Sequence, residues 1–224
     1  MEKRYAVRAL VPAVLVTLAL TGCSSSDSGS DGATDTGKAS RKTAGGDGTG
    51  TTGATAGKPV TRGGTLGGAG SACPMPVTFD YATSWKPEAV EVDPGSELAA
   101  LGEQGPVRMV CEIDAKPAGN IGYLRVWAGD PSGSGPRAVL EAFLADDPNA
   151  GKAAYTEVEA GSSAAAEVTY TVTSELLDEP KTERAFAVAT PDGPVVVHLG
   201  GLDSGEHQEM LPAYELAKKT LKLG

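Results

Sequence analysis

Between residues 24 and 72 the chain carries no Trp, Phe or Tyr, and its only large aliphatic residues are Val60 and Leu66. This absence constrains the fold more than any motif does. Ordering a residue costs on the order of 1–2 kcal/mol of backbone entropy, which only buried apolar surface can offset. Runs such as SSSDSGSDGATDTG and GGDGTGTTGATAG therefore read as a disordered Gly/Ser/Thr-rich linker. The part able to build a core is residues 73–224. At about 150 residues it has the size of one ordinary domain.

Ahead of the linker stand the basic residues Lys3, Arg4 and Arg8, an apolar run over residues 9–20, and the close Leu20-Thr21-Gly22-Cys23. A bilayer span needs about 20 apolar residues, so this run is an export signal rather than a membrane helix. In order and spacing it resembles the bacterial lipoprotein signal. That resemblance implies cleavage after residue 22 and lipidation of Cys23 with acyl chains such as palmitate. It also implies a chain anchored on the outer face of the cytoplasmic membrane, with residues 23–72 as lipidated Cys plus tether. One acyl chain holds weakly, whereas two or three make release negligible. A tether of about 49 residues has a coil dimension of roughly 35–42 Å, which keeps the domain near the membrane.

Residues 73–224 hold 11 Lys plus Arg against 24 Asp plus Glu, a difference of −13. Such a surface excludes nucleic acid as a partner, because that binding rests on neutralising phosphates with cations. It also repels anionic head groups and favours solubility or a cationic partner. With Cys23 assigned to lipid, Cys73 and Cys111 remain, and in an exported protein the default for such a pair is a disulfide. The alternative, a metal pair, is poor because two Cys without a nearby His make a weak zinc set.

Along the domain, residues 76–81 and 89–92 read as two strands of a hairpin with Trp85 in the turn, and residues 97–104 as a short helix. Val107, Met109, Cys111, Ile113 and Ala115 alternate with polar residues, which predicts a half-buried strand. Residues 121–128 form its antiparallel neighbour. Pro136 opens a helix with Val139, Leu140, Phe143 and Leu144 on one stripe. Strands follow at residues 166–172, 184–189 and 195–199. Asp203 and Glu206 have capping-box spacing before a last helix that should break and restart near Pro212. The sum is α+β, an antiparallel sheet with helices packed on it.

Segments such as TFDYATSWKP, VRMVCEIDAKPAGNIGYLRVWAG and PVVVHLGGLDSGEHQEMLPAYELAKKTL resemble actinobacterial lipoproteins with a PsbP-like domain. The resemblance implies an α/β/α sandwich of the kind that mostly serves binding or accessory roles. It carries no catalytic residue across.

The chemistry-bearing residues do not assemble into a signature. Ser132 and Ser134 lack the glycine two residues ahead that a nucleophile elbow needs, and only His198 or His207 could serve as their base. GTGTTG at residues 48–53 matches a dinucleotide motif in letters alone, without a strand before it or a helix after it. His198, Asp203, Glu206 and His207 are the sole mixed cluster for a metal. Their spacing fits no ligand set, and His207 reads as exposed beside capping acids. Glu157 and Glu159, and the later Glu175, Asp178 and Glu179, read as solvated acids rather than an acid/base pair. No catalytic, cofactor or metal residue is therefore assigned. The expected function is a non-catalytic envelope module, with Trp85, Trp127 and Tyr123 as anchor or core aromatics and an envelope protein, lipid or glycan as partner. The alternatives are an envelope hydrolase, a small-ligand carrier and a metal-binding sensor.

Overall fold

A computed structural model describes residues 60–93, 95–96, 99–173 and 179–224. Cys23, residues 48–53, Glu97, Glu175 and Asp178 lie outside them. Eleven strands and two α-helices are described: β1 Arg62–Leu66, β2 Val77–Ala82, β3 Lys86–Ala89, β4 Glu103–Gln104, β5 Val107–Asp114, β6 Gly122–Ala128, α1 Pro136–Ala145, β7 Ala150–Ala160, β8 Ser163–Thr173, β9 Pro180–Thr190, β10 Gly193–Gly201, α2 Ser204–Thr220 and β11 Lys222–Leu223. The main sheet has the order β3-β5-β6-β10-β9-β8-β7, with β4 also on β5, and every pairing in it is antiparallel. The α+β fold class expected from the sequence is the one observed.

Alternation along the strands divides the core in two. Cys111, Ile113, Leu124, Val126, Val195, Val197 and Leu199 pack with Met210, Tyr214 and Ala217 of α2 and with Val77 and Phe79 of a second sheet, β1-β2-β11. The opposite set, Trp127, Val168, Ala185, Ala187 and Val196, packs under Val139, Leu140, Phe143 and Leu144 of α1. A period-2 pattern read against both faces explains why β10 is buried almost throughout.

Four expectations are corrected. First, the folded part starts before residue 73. Leu66 is 2% exposed, and β1 supplies the edge partner that β2 requires. Second, the strands flanking Trp85 do not form a hairpin. Ser84 takes a positive φ of 66° and Trp85 is buried, so the chain passes from the small sheet to the main one. Third, the described residues of the stretch expected as a helix form a 3-10 turn, Ala99–Gly102, followed by β4. Fourth, α2 runs unbroken through Pro212. His207 and Met210 before the proline, and Ala213, Tyr214 and Ala217 after it, share one buried stripe. Packing of that stripe outweighs one lost backbone hydrogen bond.

The strand β7 lacked any sequence signal because it is an edge. Most of its residues are exposed, and its side chains include Lys152, Glu157 and Glu159. Lys152 has a φ of 50° within a bulge between Gly151 and Ala154. Charges and a bulge are the means by which an edge resists pairing with another chain.

The disulfide between Cys73 and Cys111 is formed. The chain prepares it locally: Gly67 N donates to Cys73 O and Met75 N to Gly67 O, each at 3.1 Å, closing a tight loop. Gly67 adopts a φ of 99°, where a Cβ would run into the Val77 carbonyl.

Candidate functional site

β10 reads Pro194-Val195-Val196-Val197-His198-Leu199, apolar except at one position. Parity sends His198 to the α1 side, where its ring centroid lies 6.0 Å from that of Phe143. Pairing with β9 sets His198 opposite Ala185, so Glu183 follows two residues along on the same face, and β8 sets Tyr170 opposite Glu183. Three polar groups thereby meet in an apolar surrounding, at 2%, 6% and 7% exposure for Tyr170, Glu183 and His198.

Tyr170 Oη donates to Glu183 Oε2 at 3.1 Å, and His198 Nε2 lies 2.9 Å from the same oxygen. Lys181 Nζ reaches Glu183 Oε1 at 2.7 Å and the Gly201 carbonyl at 2.8 Å. Burial alone would raise the Glu183 carboxyl, but His198 and Lys181 outweigh it and bring the group down to about 2. Burial, and then Glu183, push the Tyr170 hydroxyl well up. An ionised carboxylate only accepts, so the hydrogen of His198 sits on Nε2. Among the described residues no Ser, Thr or Cys side chain is hydrogen bonded to His198.

The row continues across the sheet. Arg125 of β6 stands opposite His198, and Glu112 of β5 opposite Arg125. Arg125 Nε donates to Glu112 Oε2 at 2.7 Å, and its guanidinium lies 4.8 Å from the Tyr123 ring. Glu112 in turn borders a groove of about 490 Å³ with Val90, Val92, Leu101 and Met109 as apolar lining and Glu91 and Asp93 beside them. Leu101 is 74% exposed there. The end of this segment is tied to α1 by Gln104 Nε2 donating to the Phe143 carbonyl and Gly105 N to Asp146 Oδ2. A polar row, buried at Tyr170, Glu183 and His198 and half-buried at Arg125 and Glu112, thus runs out to an open apolar groove on the α1 side.

The α2 side carries a second network. Glu167 Oε1 accepts from Tyr214 Oη and Lys218 Nζ, both at 2.8 Å, and Arg184 Nη1 lies 3.6 Å from Glu215 Oε1. Beside it His207 is fully buried, and both of its ring nitrogens, like Arg184 Nε, lack a hydrogen-bond partner among the described residues. Burial, and then the Arg184 charge, lower its pKa to about 4. An unfolded His near 6.5 binds a proton that the folded one refuses, so this group's stabilisation is full above about pH 6.5 and is lost as pH falls to about 4. His207→Leu removes two unsatisfied polar atoms and is expected to raise stability by about 1–2 kcal/mol at pH 6. Urea unfolding at pH 5 and 7 checks it: the gain should be larger at pH 5, and a loss at both values would mean that the ring has a partner.

The four residues weighed as a metal cluster do not converge. His198 faces α1 while His207 faces the sheet from α2, fully buried rather than exposed as expected. Asp203 caps α2 by accepting from Glu206 N, and Glu206 Oε2 holds Ile121 N at 3.1 Å. Among the described residues no group of three His, Cys, Asp or Glu gathers for a metal. Ser132 and Ser134 sit in an exposed loop where Ser134 N donates to Ser132 Oγ. Glu157 and Glu159 are exposed on β7, and Glu179 is exposed before β9. Trp85 and Trp127 are buried and Tyr123 half-buried. Glu183 and Lys181 escaped the sequence reading, which placed Tyr214 on the buried stripe of the last helix and Glu167 on a strand without the hydrogen bond between them. A single His in an apolar strand was the available signal, because hairpin register about the Pro191-Asp192 turn leads from it to Glu183.

Among solved structures, the chain is similar to the solution structure of cyanobacterial PsbP (CyanoP) from Synechocystis sp. PCC 6803. The two are 11% identical, with a TM-score of 0.47, over 78% of this chain and 100% of that one. No curated protein matches it. A protein-family profile described as uncharacterised lipoprotein matches residues 41–221, about four-fifths of the length, and the chain therefore belongs to the uncharacterised lipoprotein family.

Proposed function

We propose that this lipoprotein is a non-catalytic accessory module, anchored through Cys23 on the outer face of the cytoplasmic membrane. It engages an envelope protein or a lipid or glycan component through the groove at Val92, Leu101 and Met109. The apolar lining of this open groove carries the reading: Val92 and Leu101, 36% and 74% exposed, stand beside the part-buried Met109 with polar residues at the rim, the arrangement that marks an interaction site. The inward consumption of the polar groups supports it as well: the carboxylate, imidazole and hydroxyl of the buried row bond to one another, leaving no nucleophile poised on a base.

A photo-crosslinking amino acid placed at position 101 of the anchored protein tests this, with a second placed at position 156 on the exposed β7 edge. Capture of one recurrent component at position 101 only, lost in a Cys23→Ala form and in a Met109→Lys variant, is the expected result. Equal capture at both positions, or unchanged capture by the Met109→Lys variant, would sink the groove as the binding face.

A further inference from the structure

The acidic domain has one place where positive charge collects. A cavity of about 470 Å³ lies between the β1-β2-β11 sheet, the β7–β8 turn and the end of α2, bordered by Arg62, Thr78, Asp80, Ser162, Lys219 and Lys222. Most other cations of the described residues are matched by an acid, as Arg125 is by Glu112 and Arg137 by Glu141. Lys219 and Lys222 have no ion-pair partner among the described residues, and the Thr78 and Ser162 hydroxyls have no side-chain hydrogen bond among them.

The one acid present is already neutralised. Arg62 Nε lies 2.7 Å from Asp80 Oδ2, and Thr65 Oγ1 donates to Asp80 Oδ1 at 2.6 Å. Burial would raise the Asp80 carboxyl, but Thr65 and Arg62 hold it below its ordinary range. Two carbonyls near the end of α2, where backbone oxygens would repel an anion, are engaged. Lys218 O accepts from Gly161 N and Leu216 O from Thr220 Oγ1, each at 2.8 Å. What remains is an open set of donors with few acceptors. The domain's distant acids are screened beyond a Debye length of about 8 Å at physiological salt.

We propose that this cavity binds a phosphate group, held by Lys219 and Lys222 with the Thr78 and Ser162 hydroxyls, and that Arg62 shields it from Asp80. A tetrahedral phosphate, singly charged as a diester and up to doubly charged when free, offers oxygens in several directions to two ammonium groups plus hydroxyl donors, which a planar carboxylate does not. Arg62 belongs to β1, the strand that follows residues 24–61, so a phosphate on the membrane that holds the anchor and a free phosphorylated solute are both within the same chemistry. The inference is independent of the groove.

The test uses the full mature protein in phosphatidylcholine nanodiscs, titrated with inorganic phosphate and followed by backbone NMR. The expected result is a saturable shift confined to residues around Thr78, Ser162 and Lys222. In a Lys219→Gln/Lys222→Gln variant, whose changes are on exposed lysines, affinity should fall at least tenfold. A second arm replaces phosphatidylcholine by phosphatidylglycerol without free phosphate: the same shifts there identify a head group as the source, and shifts with inorganic phosphate alone identify a solute. Absence of saturable shifts in both arms overturns the site. So does an effect that sodium chloride reproduces at matched ionic strength, or one that survives the double substitution.

Discussion

Glu183→Ala is expected to lower the free energy of unfolding by about 3–5 kcal/mol, the cost of stripping one partner from a buried charged cluster. The carboxylate answers three donors at once: Tyr170 Oη, His198 Nε2 and Lys181 Nζ. Its removal leaves Lys181 Nζ with the Gly201 carbonyl alone and Tyr170 Oη and His198 Nε2 with only each other, among Val168, Ala185 and Phe143. Glu183→Gln keeps the shape and one acceptor but not the charge, and should cost less. The pH dependence follows from the sign of the shift. The folded carboxyl titrates near 2 and the unfolded one near 4.5, so its contribution is complete above about pH 4.5 and disappears as pH falls towards 2. Urea unfolding monitored by Trp85 and Trp127 fluorescence measures both effects. A loss below about 1 kcal/mol at pH 7 for the alanine variant would show that the cluster is solvated rather than buried.

The second large effect concerns the bridge between Cys73 and Cys111. Both residues are fully buried, and the bridge closes a loop of 38 residues. In the chain-entropy description such a loop contributes about 4 kcal/mol by restricting the unfolded state. Replacing both by alanine is therefore expected to cost about 3–5 kcal/mol once the lost sulfur packing is included. The damage should be uneven. Cys73 closes the Gly67 loop and ties the β1–β2 end of the small sheet to β5, whereas α1 packs in the core on the other face of the main sheet. Amide exchange of β1 should accelerate first, ahead of β8 and β9. Uniform acceleration across all strands would indicate that the bridge acts on the unfolded chain alone.

Which parts were legible in sequence depends on how local their cause is. The alternation of Val107 to Ala115, the stripe Val139, Leu140, Phe143 and Leu144, and the cap at Asp203 are set by neighbours within a few residues, and each is found where its pattern places it. The edges were not legible. β1, β7 and β11 are short or exposed and carry no apolar period of their own; they exist because β2 and β8 offer a hydrogen-bonding edge. The Trp85 turn was misread as a hairpin for a related reason, since Ser84 and the buried indole redirect the chain between two sheets that no local signal distinguishes.

The candidate site divides the same way. Sequence alone determined β2, β5, β6, β8, β9 and β10, the existence of both helices and the pairing partners Cys73 and Cys111, because hydrophobic period, capping and cysteine count act within or independently of chain order. Only the tertiary structure decided that His198 and His207 lie on opposite sides of one sheet, that Glu183 and Tyr170 converge on the first while the second has no hydrogen-bond partner among the described residues, and that Lys219 and Lys222 share a cavity with Arg62 from the far end of the domain. Register and crossover geometry bring together residues separated by 13 to 160 positions, and no local pattern encodes such distances.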